Sequence, residues 1–351
     1  MNDRKVIVVL GMHRSGTSAI TKSLELFGVN LGEQLYGASF DNPKGFWEDE
    51  ECLRINQELL NIDGYEYDSI IKTPDLENEK VKVLHSEAVS VVSKNIDKYK
   101  LWAFKDPRTC RYLDFWQSVF DSVGCEVAYV FVSRNPISVA KSLKKRNNLE
   151  LQKSYLLWAQ HIFMSVSSMK HRCLFLDYDD FMDNHQSNLK KISDFLNIEP
   201  DIEKMNEYSA EFLDNKLRHT KFNESDILDN EAIPNFVKSL FLPVDKMAKI
   251  EFPDYEINKS FLNDSSLNDF LFTCNYIESL ERQQMTTWLL LSNKEEVIKE
   301  YQFHTAQLEF HTAQLEEKLE KVEFLFKVLR KIKSSRVYRL VEKMQGILGR
   351  S

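Results

Sequence analysis

The segment at residues 5–28 constrains the fold more than any other part of the chain. It begins with a continuous apolar and largely β-branched run at residues 5–10, the pattern of a strand buried on both faces of a parallel sheet. A glycine-containing loop follows, and apolar residues then recur at helical spacing over residues 17–27. Gly28 stands where a helix-ending glycine is expected. A strand, a loop and a helix in this order predict the first unit of a βαβ fold.

Similar apolar runs recur later, each next to a helical pattern, at residues 102–105, 127–133 and 173–178. Helices are predicted from about Thr109 and from about Pro136. Buried strands separated by helices predict an α/β fold with a parallel sheet flanked by helices. Because ligands bind such sheets at the carboxyl ends of the strands, the segments that follow the strands are expected to converge. These segments are residues 11–18, 105–108 and 134–142.

Charge and cysteine content exclude several classes of function. The formal net charge is -8 at pH 7, so a general electrostatic affinity for nucleic acid is not expected. The five cysteines form neither a closely spaced pair nor an even framework, so we expect no metal site and no disulfide scaffold. Reduced thiols fit a cytoplasmic protein. No apolar run is long enough to predict a signal peptide or a membrane span.

The composition changes from about Leu262, where Pro and Gly disappear until Gly346. We therefore predict two domains, residues 1–262 and a helical extension at residues 263–351. The heptapeptide FHTAQLE occurs twice in tandem, and seven-residue spacing continues through Leu308, Leu315, Val322 and Leu329. His304 and His311 fall where a strict two-stranded seam would carry apolar residues. The extension is predicted to be either a homo-oligomeric coiled coil or a helix packed on the body.

The end of the chain is basic although the whole chain is acidic, because Lys and Arg outnumber Glu over residues 318–351. The amphipathic segment at residues 334–349 suits the inner face of an anionic membrane, and docking of a helix on the core is the alternative. Peripheral membrane contact is therefore one interpretation of this tail.

Residues 11–18, GMHRSGTS, have the glycine spacing of a nucleotide-binding loop placed between a strand and a helix. Thr17 stands where such a loop carries the lysine that reaches the β- and γ-phosphates, so a nucleoside triphosphate with magnesium is poorly served. Backbone N–H groups still hold an anion here, and Arg14 adds positive charge. Further donors come from Ser15, Gly16, Thr17 and Ser18. An anion-binding loop is predicted over a plain glycine turn, and His13 is interpreted as a hydrogen-bonded scaffold residue.

This loop resembles the 5′-phosphosulfate loop of sulfotransferases that use 3′-phosphoadenosine-5′-phosphosulfate (PAPS). A second segment, VFVSRNPISVAKS, places Arg134 and Ser142 at the spacing of the arginine and serine that hold the donor's 3′-phosphate in that family. YDDF at residues 178–181 looks like the family's Tyr-Glu-Asp-Leu element. KLRHTK at residues 216–221 lies where a basic segment closes over the donor, which implies a contact from Arg218. The resemblance covers roughly residues 4–222 and implies a P-loop-like fold and sulfuryl transfer to a hydroxyl.

The resemblance also implies catalytic roles, since sulfuryl transfer needs a general base and cations on the leaving group. Lys105 resembles the lysine that faces the transferred group in glycan sulfotransferases, with Arg14 as its companion. Glu48, beside two aromatic residues, lies in the interval where those enzymes carry a catalytic glutamate. The three acids that follow it are interpreted as solvated acids at a helix start. Arg108 either grips an anionic acceptor or pairs with Asp106, and we favour the pair.

The small-molecule sulfotransferases of the cytosol use a histidine near the lysine segment, and Pro107 and Arg108 stand there instead. This departure favours a glutamate base and a glycan acceptor. Two other functions remain open. A P-loop kinase or related phosphotransferase would have to recruit Asp177 or Asp179 for magnesium and would lack the loop lysine. A non-catalytic nucleotide-binding module would use the helical extension to assemble other proteins.

Overall fold

The computed structural model describes residues 4–38, 42, 44–71, 73–212, 220–250, 259–334 and 343. The chain divides into two compact units, Met1–Arg282 and Gln283–Ser351. The first unit contains a parallel sheet with helices on both faces, as the sequence predicts. The second unit contains the remainder of a helix that begins in the first.

The sheet has four strands, and their bounds are β1 (Lys5–Leu10), β2 (Leu101–Lys105), β3 (Glu126–Ser133) and β4 (Cys173–Asp177). Their order across the sheet is β2-β1-β3-β4, and all neighbours are parallel. Val9 near the end of β1 pairs with Lys105 at the end of β2, and Ser133 at the end of β3 pairs with Asp177 at the end of β4. The register therefore places the carboxyl ends of the strands along one edge, where ligands bind in such folds.

The helices are α1 (Thr17–Ser23), α2 (Glu50–Ile62), α3 (Glu79–Tyr99), α4 (Leu113–Val123), α5 (Pro136–Asn147), α6 (Leu151–Ser168), α7 (Tyr178–Asp183), α8 (His185–Leu196), α9 (Ile202–Glu207), α10 (Glu224–Leu228), α11 (Asn235–Lys249) and α12 (Ser266–Ser334). Short 3-10 turns cover Leu24–Phe27, Pro107–Arg111 and Ser260–Asn263.

Two apolar layers enclose the sheet because successive side chains of a strand point to opposite faces. In β1, Val6 and Val8 enter one layer, while Ile7 and Val9 enter the other, and all four are fully buried. The first layer includes side chains from α2 to α6, and the second includes side chains from α1 and α8. Burial on both faces is the reason that β1 is continuously apolar in sequence.

Two predicted helices begin or end differently in the structure. The helix predicted over residues 17–27 is α1 followed by the 3-10 turn Leu24–Phe27, a tightening that is frequent at helix ends. Gly28 does end this segment, with φ at +72°. The helix predicted from about Thr109 is preceded by the 3-10 turn Pro107–Arg111, and regular helix begins only at Leu113.

The first turns of α12 belong to the core of the first unit. Leu267 and Phe270 are 1% exposed, and the buried Glu278 accepts a hydrogen bond from the Tyr65 hydroxyl at 2.7 Å. The structure therefore divides the chain at Arg282, beyond the boundary expected at residue 262. The loss of Pro and Gly in the sequence marks where the helix begins, while packing continues along its first turns. Over the residues that the structure describes, no helix is long and apolar enough to cross a bilayer.

Candidate active site

Two glycines of the loop after β1 are required by close packing. Gly11 has φ at +147°, and a Cβ there would lie 2.4 Å from the carbonyl oxygen of Val132 in β3. Gly16 has φ at +83°, and a Cβ there would lie 1.9 Å from the ring of Tyr178. Any side chain at either position would collide with these neighbours and would strain the backbone. The glycine spacing seen in sequence thus lets the loop pass between β3 and Tyr178.

The loop is joined directly to α5 and to Arg134, which precedes that helix. Arg14 adopts the left-handed conformation with φ at +69°, which is uncommon for a residue with a side chain. Its Nε donates to the Ser142 hydroxyl at 2.9 Å, across 128 residues of sequence. The Arg14 carbonyl in turn accepts a hydrogen bond from Nη1 of Arg134 at 3.3 Å. The two segments that resemble the donor-binding signatures are therefore in contact.

Arg134 is buried, and its guanidinium has neighbours on several sides. It forms an ion pair with Asp179 at 3.4 Å and donates to the carbonyl of Thr220 at 3.2 Å. Its plane lies over the Tyr178 ring, 4.8 Å from the ring centroid. Trp158 donates to the Arg134 carbonyl at 3.1 Å and fixes the backbone. The guanidinium is thus held at the edge where β3 and β4 end.

Only the last two residues of the basic segment KLRHTK, Thr220 and Lys221, are among the described residues. The carbonyl of Thr220 accepts a hydrogen bond from the Arg134 guanidinium, so this end of the segment lies beside Arg134. Phe222 also accepts a hydrogen bond from Asn135, the residue that caps α5. Arg218 lies outside the described residues, and its contact with the donor stays a prediction.

Glu48 and Lys105 form a buried ion pair. Lys105 Nζ donates to Glu48 Oε1 at 2.7 Å, and the side chains of Lys105 and Glu48 are 2% and 7% exposed, respectively. Burial raises the pKa of Glu48, and the Asp106 carboxylate adds to this rise, while the Lys105 ammonium opposes it. A raised pKa makes the carboxylate a stronger base than a solvated glutamate. The base and the cation implied by the sequence therefore lie in direct contact.

The backbone around Glu48 fixes its position. Trp47 before it has φ at +57°, a genuine outlier for a bulky residue, and its indole donates to the Lys44 carbonyl at 2.8 Å. The carbonyl of Glu48 accepts from the backbone of Tyr36 at 2.7 Å. Strained backbone of this kind persists only where surrounding contacts enforce it, and it clusters at functional sites.

The three acids after Glu48 differ from one another. Asp49 is buried, not solvated as the sequence suggested, because its carboxylate turns inward to accept from the first N–H groups of α2. Burial raises its pKa, against the effect of these hydrogen bonds. Glu50 is exposed, and Glu51 pairs with Lys94 at the surface at 2.9 Å. All three acids lie at the start of a helix, as the sequence predicts. Glu50 and Glu51 are in contact with solvent, while Asp49 is buried.

The turn after Lys105 is rigid. Arg108 pairs with Asp106 at 2.9 Å, so the favoured alternative for this arginine is present in the structure. Asn56 of α2 donates to the same carboxylate at 3.0 Å and accepts from the Trp116 indole at 2.8 Å. This network of fully buried polar groups ties the end of β2 to α2 and α4 and holds Lys105 in place.

His13 has a different environment from the one expected. Its Nε2 is buried and has no hydrogen-bond partner among the described residues, so it is not a hydrogen-bonded scaffold residue at that atom. Burial lowers the pKa of His13 well below its ordinary value, and nearby cationic groups, including Arg108 and Arg111, act in the same direction. This environment disfavours the protonated imidazole, so His13 is a weaker base than a solvated histidine.

Sequence reasoning missed Cys110 and did not predict the contacts that Tyr178 and Asp179 make with the site. Cys110 accepts the backbone N–H of Gly11 at 3.0 Å, and Asp179 and Tyr178 contact Arg134 as described above. YDDF was noticed as an element, but nothing in its spacing indicates that its tyrosine packs on a glycine of the first loop. No signal in the sequence singles out Cys110.

Three comparisons with known proteins bear on the family of this chain. A family model described as "Sulfotransferase family" matches residues 6–202. No curated protein sequence matches the chain significantly. Among solved structures, the "Sulfotransferase Domain from the Synechococcus PCC 7002 Olefin Synthase" is similar with 12% identity and a TM-score of 0.41, over 73% of this chain and 97% of that one.

Proposed function

This chain belongs to the sulfotransferase family, and from that premise we propose that it transfers the sulfuryl group of PAPS to a hydroxyl of a glycan. The observation that carries the proposal is the hydrogen bond between Arg14 and Ser142, at 2.9 Å. It brings the loop that resembles a 5′-phosphosulfate site against the segment that resembles a 3′-phosphate site. A single nucleotide that carries phosphates on both the 5′ and the 3′ position of its ribose would contact both segments.

The donor is held by charge and by backbone N–H groups. The loop at residues 11–18 supplies N–H donors, with hydroxyls from Ser15, Thr17 and Ser18, to the 5′ end. Arg134 and Ser142 supply a planar donor fork and a hydroxyl to the 3′-phosphate. A doubly charged phosphate is a stronger partner for Arg134 than the 3.4 Å contact with Asp179 and the backbone carbonyls it now contacts. Arg218 is proposed as an additional cation.

The transfer step assigns a separate task to each charged residue. The acceptor oxygen attacks sulfur, the bond from sulfur to the 5′-phosphate oxygen breaks, and the acceptor proton passes to Glu48. Negative charge develops on the departing oxygen, where Lys105 and Arg14 stabilise it. When Glu48 accepts the proton it loses the charge that holds Lys105, so the ammonium becomes available to the leaving group at the same moment.

Two observations support a glycan as the acceptor. Phe46 and Trp47 directly precede the base in sequence and are aromatic residues of the kind that lines ligand sites, and Tyr36 packs on Phe46 with ring centroids 5.2 Å apart. The position beside Lys105 holds a Pro-Arg turn in place of a histidine base. We propose a cytoplasmic location, with the basic tail at the inner face of the membrane as one alternative. Most of that tail lies outside the described residues.

The direct test incubates the protein with PAPS labelled in its sulfuryl group and a panel of glycans, followed by identification of the labelled product. Transfer of label to a glycan hydroxyl is expected. Label transferred to small phenols and to no glycan would overturn the acceptor class. Phosphate transfer from ATP would establish the phosphotransferase alternative, and donor binding without turnover would establish the non-catalytic module.

A further inference from the structure

The second unit carries an interaction surface that sulfuryl transfer does not use. The helix α12 runs to Ser334, and large apolar side chains on it are exposed: Tyr301 is 71%, Leu308 is 69%, Leu315 is 64% and Leu319 is 60% exposed. They are separated by seven, seven and four residues, which is the spacing of a coiled-coil seam. Removing this apolar surface from water is favourable, and a second helix is the element that fits such a seam.

The heptad register is set by placing the leucine series Leu308, Leu315, Val322 and Leu329 at position d. Position a then carries Ile298, Thr305, Thr312, Leu319 and Phe326. Every a and d position from Ile298 to Leu329 is therefore apolar or threonine. In this register His304 and His311 lie at position g, beside the seam. The expectation that they occupy seam positions is therefore wrong for this register.

The two threonines are compatible with a dry seam. The Thr305 hydroxyl donates to the Tyr301 carbonyl of its own helix at 2.8 Å, and the Thr312 hydroxyl donates to the Leu308 carbonyl at 2.8 Å. Because both hydroxyls are satisfied within the helix, burial of the threonine methyl groups leaves no unpaired donor.

The charges beside the seam decide its partner and direction. In a parallel dimer in register, position g of one helix faces position e of the next heptad on the other. Position g carries His304, His311, Lys318 and Leu325, and position e carries Gln302, Glu309, Glu316 and Glu323. Three successive crossings therefore set a glutamate against a histidine or a lysine. An antiparallel pair would set the glutamates against one another, which is unfavourable.

We propose that residues 298–329 form a parallel, in-register coiled-coil dimer with a second copy of this chain. The segment spans more than four heptads, and a coiled coil is indicated by about three to four. Lys318 faces Glu323 of a second copy as an ion pair, and the two histidine rings face glutamates as hydrogen-bond donors, so the second copy is the occupant that satisfies both the seam and the flanking pairs. The proposal is independent of the donor and acceptor of the first unit.

The seam is tested by molar mass in solution, measured on the full-length protein by sedimentation equilibrium over a range of concentrations. The wild-type chain is expected at twice 41.2 kDa. The variant Leu308→Asp with Leu315→Asp buries charge in the seam, and it should raise the dissociation constant by about 100-fold or more. The control pair Phe303→Asp with Phe310→Asp changes residues that are 63% and 64% exposed on the opposite side of the helix, and it should remain dimeric.

Circular dichroism and binding of 3′-phosphoadenosine-5′-phosphate check that each variant is folded. A wild-type protein that is monomeric at every concentration overturns the proposal, and so does a trimeric or tetrameric mass. Equal loss of mass in both variant pairs would also overturn it, because the outer face would then contribute as much as the seam.

The direction is tested by disulfide cross-linking under mild oxidation. Val322→Cys places two thiols at facing d positions, where the distance between Cα atoms suits a disulfide. A covalent dimer is expected for Val322→Cys, while Phe324→Cys on the outer face should not exceed the background of the unaltered chain. Absence of the Val322→Cys cross-link in a protein of dimeric mass would contradict the parallel arrangement.

Discussion

At the scale of single residues, the pair of Glu48 and Lys105 needs an explanation beyond stability. Taking two charges out of water costs several kcal/mol per ion, and a well-packed apolar pair of similar volume is often as stable or more stable. Here the pair is more than nine-tenths buried on both sides and is placed by a strained tryptophan. A catalytic role accounts for these costs, because it needs a strong base beside a cation that can be released.

We predict that Glu48→Gln lowers turnover by about 100- to 10,000-fold, because the amide keeps the size of the side chain but cannot accept the proton. Affinity for the product nucleotide should survive. The melting temperature should fall, since Lys105 is left buried without its counter-charge. Glu50→Gln is the matched control, because Glu50 lies in the same run of acids and is exposed.

Near-normal turnover of Glu48→Gln would remove Glu48 from the role of base. If the corresponding variant of Asp49, Glu50 or Glu51 were then inactive, the base would be that residue. If all of these variants stayed active, His13 would be the next candidate, because its Nε2 has no hydrogen-bond partner among the described residues.

The pH dependence of kcat/KM gives a separate test of the same group. Glu48 must be ionised to accept a proton, so activity should be lost as the pH falls through its pKa. Because burial raises this pKa, the loss should occur at a higher pH than the ordinary value of about 4.3 for glutamate. A profile that stays flat down to that ordinary value would show that the base is another, solvated group or that no carboxylate limits the rate.

Arg134 is predicted to contribute to donor affinity. Arg134→Ala removes a charge-assisted contact with phosphate, and binding of 3′-phosphoadenosine-5′-phosphate should weaken by about 1.5–3 kcal/mol in calorimetry. Arg54→Ala serves as the control, since Arg54 forms ion pairs with Glu58 and Glu87 at the surface. An unchanged affinity of the Arg134 variant would exclude this arginine from the donor site.

At the scale of elements, β1 and the loop after it were predictable because their constraints are local. A strand buried on both faces must be apolar throughout, and the bounds of β1 agree with the sequence pattern residue for residue. Asp49 was misjudged because its burial depends on where α2 packs, which no local pattern reports. The packing of Tyr178 on Gly16 is likewise set by the sheet order, which joins residues far apart in sequence.

The first turns of α12 lead to a prediction about truncation. A chain ending at Arg282 keeps Leu267, Phe270 and Glu278, so it should fold and bind the product nucleotide like the full protein. A chain ending at residue 262 loses the buried Leu267 and Phe270, and the cost should be at least about 4 kcal/mol of unfolding free energy. Urea denaturation of the two chains measures the difference. Equal stability would show that α12 is not part of the core.

At the scale of the whole molecule, the chain consists of two units, and a separate task is proposed for each. The first unit holds the loop, the paired charges and the Arg134 segment at one edge of its sheet, and the second is proposed to dimerise. The identity of the donor is the central claim, because the roles of Arg14, Arg134 and Ser142 all depend on it. The loop lacks the lysine that a nucleoside triphosphate would require, since Thr17 stands in its place.

The most direct test of this claim compares the thermal stabilisation by two nucleotides. A ligand that binds only the folded state adds about 2.7 kcal/mol of stability at a concentration 100 times its dissociation constant. We predict that 3′-phosphoadenosine-5′-phosphate raises the melting temperature clearly, while ATP with magnesium at the same concentration raises it much less. A larger shift from magnesium ATP would contradict the account and would favour a phosphotransferase.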